Sequence, residues 1–224
     1  MDRLTANETE SDSDGDLTAL LGSRICHDLI SPLGAIGNGV ELLMMSGTAG
    51  GPEIALISQS VQSANARIRF FRLAFGSAAD HQQVARSEVV SVLDDMTRGG
   101  RLRLDWQAGP TLGRVDVKIA FLAIMCFETA LPYGGQVRIT ASCADWTLQA
   151  DAERMKIDPA LWSRLARPPQ APTPGPTPGP TPGPTLGPAL APAHVQFALL
   201  AEAARRFGRL LRLDLADTRI TLRF

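Results

Sequence analysis

The 224-residue sequence has no surplus of either charge, no paired cysteine motif and no long apolar run, and each absence narrows what the chain does. A formal net charge of −1 leaves no basic excess to neutralise phosphates, so neither nucleic acid nor an anionic membrane surface is expected as a partner. Cys26, Cys126 and Cys143 are odd in number, far apart and without a CxxC pair. That pattern argues against a disulfide framework and a structural zinc site, and it fits a reducing cytoplasm. No apolar stretch approaches the roughly 20 residues of a membrane span, and the acidic N-terminus is the reverse of a basic secretory leader. A soluble, cytoplasmic protein is expected.

What is present is patterning. Hydrophobic residues make up 45% of the chain, enough for a sizeable core. Residues 1–16 carry Asp2, Glu8, Glu10, Asp12, Asp14 and Asp16 against Arg3 and read as a disordered acidic tail, with Asp16 as the cap of a helix beginning at Leu17. From Leu17 to Ser46, Leu21, Ile25, Leu29, Pro32, Ile36, Gly39/Val40 and Leu43 recur at steps of three and four, the stripe of one long helix of about 45 Å. Glycines at 47, 50 and 51 end it, and Pro52 opens a second helix to Phe75 with Ile54, Ile57, Val61, Ala64, Ile68, Phe71 and Phe75 in step. The hairpin over residues 17–76 leaves apolar side surface that a second copy would cover, which predicts a homodimer built as a four-helix bundle.

A hinge is expected at 76–86, followed over 86–224 by an α+β domain with helices on one face of a sheet. Its helices are expected at 87–98, 115–131, 158–165 and 194–207, and its strands at 101–107, 136–142, 146–152, 210–215 and 219–224. Residues 168–193 interrupt it with a Thr-Pro-Gly-Pro array, an extended linker in composition. Trp106, Trp146 and Trp162 are expected in its core. His81 and His194 lack carboxylate or cysteine neighbours at ligand spacing, so no metal site is assigned. Arg205, Arg206, Arg209 and Arg212 read as a solvated helix end.

The chemistry concentrates at Arg24-Ile25-Cys26-His27-Asp28-Leu29-Ile30-Ser31-Pro32-Leu33. His27 sits about 200° around the helix from the stripe residues Ile25 and Leu29, so it points to solvent together with Arg24, Ser31, Gly34 and Asn38. Asp28 is placed to fix one ring nitrogen of His27 and leave the other free to attack, and Ser31 adds a hydroxyl one turn on. Arg24 is placed to steady an incoming phosphoryl group, and Gly34 keeps the surface low for a partner. Pro32 removes the helical partner of the Asp28 carbonyl.

His27-Asp28-Leu29-Ile30-Ser31-Pro32-Leu33 resembles the H-box of two-component histidine kinases, and the run from Ser23 to Leu43 is similar to that of the alphaproteobacterial ChpT-type histidine phosphotransferases. The resemblance implies a dimeric bundle followed by a degenerate kinase-type, Bergerat-like α/β sandwich. Pro132-Tyr133-Gly134-Gly135 resembles the kinase turn after the asparagine-rich box, but Cys126 and Thr129 stand where that box has asparagine and a basic residue. Asp151-Ala152-Glu153-Arg154-Met155 replaces Asp-x-Gly-x-Gly, and the proline array occupies the glycine-rich turn, so neither ATP nor another cofactor is expected.

The implied activity is phosphotransfer through His27, with Asp28 and Ser31 as its helpers and Arg24, Gly34 and Asn38 framing the partner footprint. The resemblance further implies a donor receiver domain on a hybrid kinase of the CckA type, acceptors of the CtrA and CpdR types, and Mg²⁺ carried by the receiver. Two rival readings remain at this level: a dimeric scaffold or antagonist of kinases and receivers, and an ATP-using histidine kinase.

Overall fold

The computed structural model describes residues 5–46, 51–142, 145–166 and 190–224, with side chains from residue 17 onward. Two helices lead, α1 (Thr5–Ser46) and α2 (Pro52–Ala74), and they pack as an antiparallel pair. Gly39 sets their spacing: a Cβ there would lie 2.6 Å from Cγ1 of Ile57, so only glycine permits the approach. The expected stripe on α1 is the less exposed side of the helix, with Pro32 and Gly39 buried and only Val40 left open. The acidic segment corrects the expectation of a disordered tail beginning the chain. α1 begins at Thr5, so residues 5–16 continue it rather than preceding it.

The mixed α/β domain that follows contains β1 (Gln83–Ala85), α3 (Arg86–Thr97), β2 (Leu102–Trp106), β3 (Thr111–Gly113) and α4 (Arg114–Ala130). It continues with β4 (Gly135–Ser142), β5 (Asp145–Asp151), α5 (Pro159–Ala166), α6 (Val195–Arg206), β6 (Arg212–Ala216) and β7 (Arg219–Arg223). Five strands form one sheet in the order β2-β4-β5-β7-β6, parallel at β2–β4 and antiparallel elsewhere. Val137, Ile139, Leu148, Ala150, Ile220 and Leu222 alternate with polar residues and face the helices, the period-two pattern of a half-buried sheet. α4 is buried almost all round, with Val115, Val117 and every residue from Ile119 to Phe127 inside the core, as a helix apolar on nearly every face must be. Most of the array at 168–193 lies outside the described residues; its last four residues do not behave as linker, since Leu190 packs on the core and Pro192–His194 form a 3-10 turn leading into α6.

The expected hinge at 76–86 is also corrected. β1 pairs with β3, a strand too short to show a period, and Arg86 and Arg114 donate backbone hydrogen bonds to Pro110 and Gln82. Phe70, Leu73 and Ala74 of α2 are buried in the domain core, and the Phe70 ring lies 4.8 Å from that of Phe121 on α4. Lys118 of α4 caps the end of α2, its ammonium donating to the carbonyls of Ala74, Phe75 and Gly76 at 3.0–3.1 Å. The hairpin and the domain therefore share one core. Among the described residues, no helix is long and apolar enough to cross a membrane.

Burial, reinforced by Arg114 and Arg206, lowers the Lys118 ammonium from 10.5 to about 8. A base whose folded-state value is depressed carries its penalty while charged, so the native protein gains stability as pH rises from about 8 towards 10.5. Lys118→Met should cost about 2 kcal/mol at pH 7 by orphaning three carbonyls. In urea denaturation the gap between wild type and variant should widen between pH 8 and pH 10.

Candidate functional site

His27 stands where the helix geometry puts it, with its side chain 84% exposed on α1. Asp28 turns the other way, 11% exposed in the seam between the hairpin and the domain. A carboxylate so withdrawn from water must be paired. Its Oδ2 accepts from Arg24 Nε at 2.9 Å and lies 4.0 Å from Nη1 of Arg67 on α2, while Oδ1 faces Nδ1 of His27 at 3.3 Å. With Nδ1–H directed at a carboxylate, Nε2 is the nitrogen left with a free lone pair, aimed at solvent.

Ser31, Gly34 and Asn38 are exposed on the same side of α1, and no atom lies within 4 Å of a Cβ built on Gly34. Exposed Ile30 and Leu33 flank them, so the face around the histidine is low and partly apolar. Arg24 departs from the expected role. It is 17% exposed and committed inward, to Asp28 and, through Nη1, to the carbonyl of Ala193 at 2.5 Å, so it belongs to the frame behind His27 rather than to the open face.

Arg67 carries no mark in the sequence. It is one of several arginines on α2, and only the need of a half-buried Asp28 for positive charge, together with its place beside the Ala64–Ile68 stripe, would single it out. Glu128 of α4, an exposed residue, feels the same groups: surrounding protein raises its carboxyl, Arg67 and Arg24 pull it down, and Asp28 pushes it up.

Cys126, Thr129 and Asp151 are each engaged within the domain itself. Cys126 is fully buried, and burial pushes its thiol well up. Thr129 accepts a hydrogen bond from the buried Gln196 at 3.0 Å. Trp162 of α5 stacks on Phe127 at 5.8 Å and meets Phe197 edge-on at 5.3 Å, tying α4, α5 and α6 together. Asp151 is bound by Arg219 at 2.6 Å; burial raises its carboxyl, but hydrogen bonds from Gln149 and Arg219 outweigh this and hold it low. Among the described residues, no group of three or more His, Cys, Asp or Glu is placed to hold a metal ion.

The helical hairpin set before a mixed α/β domain resembles the histidine-kinase-like fold class. Residues 86–176 match the family described as "Histidine phosphotransferase C-terminal domain". The chain is 38% identical over 132 residues to the protein phosphotransferase ChpT of Brucella abortus (strain 2308), a match spanning 58% of this chain and 63% of that protein. It thus aligns with somewhat less than two thirds of that curated relative. A solved structure described as a bacterial phosphotransferase superposes with a TM-score of 0.71 at 26% identity, covering 93% of this chain and 95% of that one. The chain is similar in sequence to this phosphotransferase and in fold to the solved bacterial phosphotransferase.

The aromatic filling has a measurable consequence. Trp162→Ala should lower the stability of the domain by about 3–5 kcal/mol, the range for emptying a large aromatic site, read as a drop in the urea midpoint.

Proposed function

We propose that this chain is a histidine phosphotransferase of a two-component phosphorelay, accepting a phosphoryl group on His27 from an aspartyl phosphate and passing it to a second aspartate. The observation that carries the reading is the exposed His27 ring whose Nδ1 is turned to the withdrawn Asp28, in a chain similar in sequence to a phosphotransferase. In the first half-reaction the lone pair on Nε2 forms a bond to phosphorus as the bond to the donor carboxylate oxygen breaks, and the carboxylate leaves with that electron pair. The ring keeps its Nδ1 proton and becomes cationic, and Asp28 compensates that charge. The return step is the reverse on another receiver. Little covalent chemistry is asked of the protein beyond position and charge compensation.

The partners this reading requires are receiver domains of the kinase and response-regulator systems. By resemblance, the donor is a hybrid kinase of the CckA type and the acceptors are of the CtrA and CpdR types, each receiver bringing its own Mg²⁺. Ser31, Gly34 and Asn38 supply the contact face. Cytoplasmic location follows from these partners. Independence from ATP is supported by the side chains of Trp162, Phe197 and Gln196, which occupy the space among α4, α5 and α6.

Incubated with a receiver domain carrying labelled aspartyl phosphate, the full chain should become labelled and His27→Ala should not. Asp28→Asn should slow transfer by about 10² to 10⁴, the usual worth of such a helper. Labelled ATP alone should give no phosphohistidine. Label retained by His27→Ala would sink the reading.

The homodimer is proposed on the hairpin's second apolar line. Ile54, Val61 and Ile68 are exposed at steps of seven on α2, and Ile30, Leu33, Val40 and Met44 are exposed along α1. Such a face asks for a partner helix pair. Sedimentation should give twice the chain mass for wild type, and Val61→Glu should shift it to one chain mass.

A further inference from the structure

We propose that Arg24 and Arg67 are positioning residues that fix the His27 ring through Asp28, and that Arg24 enlists the second domain in this task through the carbonyl of Ala193. The inference deepens the phosphotransfer reading and rests on it for its functional consequence, though the geometry exists without it.

The two oxygens of Asp28 have separate duties. Both arginines approach Oδ2, Arg24 from one turn earlier on α1 and Arg67 from across the hairpin, and Oδ1 is left to His27 Nδ1. A lone carboxylate on a helix surface would rotate about its terminal torsion, which is broad and two-fold. Charge concentrated at one oxygen removes that freedom, and a fixed Oδ1 selects the Nδ1–H form of the ring.

Arg24 is itself held at two points. Its guanidinium is a rigid planar fork, and Nε goes to Asp28 while Nη1 goes to the carbonyl of Ala193, in the 3-10 turn that leads into α6. Rotation about either contact breaks the other. The ring orientation at the exposed face of α1 is thus set by groups drawn from α1, α2 and the turn before α6.

The test separates this inference from the relay reading by observing the ring directly. In ¹⁵N-labelled full-length protein near pH 8, long-range ¹H–¹⁵N spectra of His27 should show one tautomer, protonated on Nδ1. In Arg24→Gln and Arg67→Gln the ring should populate both tautomers. Labelling by a phosphorylated receiver should slow about tenfold to a hundredfold, the scale of a small misplacement of a reacting group, with receiver affinity changed less than twofold. Arg24→Lys keeps the charge but loses the fork and should fall between. Circular dichroism and the urea midpoint establish that each variant is folded. If the folded glutamine variants keep a single Nδ1–H tautomer, the inference is overturned, whatever their transfer rates. If the tautomer mixes in the variants but the wild type accepts no phosphate, the positioning stands and the relay reading fails.

Discussion

The second helix has to satisfy two environments along one rod, and the rest of the structure depends on how it does so. One line along it leaves Ile54, Val61 and Ile68 exposed, whereas its C-terminal half drives Phe70, Leu73 and Ala74 into the core of the α/β domain. Because the buried half is fastened by Phe121 packing and by Lys118 at its carbonyl end, α1 cannot pivot freely over the domain. That constraint brings Arg24 and Asp28 to the seam and leaves His27, one position along, facing out.

Much of this was legible in the sequence because it depends on period. The stripe on α1, the placement of His27 opposite it, the alternation in β4 and β5 and the apolar run of α4 each repeat often enough to be read one residue at a time. What the sequence concealed is of another kind. β1 and β3 are three residues each and exist only because they pair with one another, so no local pattern announces them. The pinned segment at 76–86 depends on Lys118, an isolated cation within an apolar helix, which is meaningful only once the carbonyls it serves are in place. The first turns of α1 were hidden by their composition, since an acidic, polar run carries no apolar period to betray a helix.

The site divides along the same line. His27, Asp28, Ser31, Gly34 and Asn38 follow from helix geometry alone, whereas the true allegiance of Arg24 could not. On an isolated helix Arg24 shares a side with His27; in the folded chain the Ala193 carbonyl and the Asp28 carboxylate together hold it and draw it inward. Arg67 is invisible to any one-helix argument because its partner lies on the other helix. The substitutions at Cys126, Thr129 and Asp151 could be seen as departures from a kinase pattern, but not their surroundings in the fold. Trp162, Phe197 and Gln196 are buried beside them.

The contact between Arg24 and Ala193 joins residues 169 positions apart. Contacts of such separation form late, after the intervening chain has collapsed, and during synthesis they cannot form until Ala193 itself has emerged. α1, made long before, displays its histidine from the moment the helix exists, yet part of the surroundings that steady that histidine arrives only with the turn into α6. A nascent chain, or one terminated before that turn, would therefore expose the same residue without its frame, so the order in which the two segments are made is itself written into the geometry of the site.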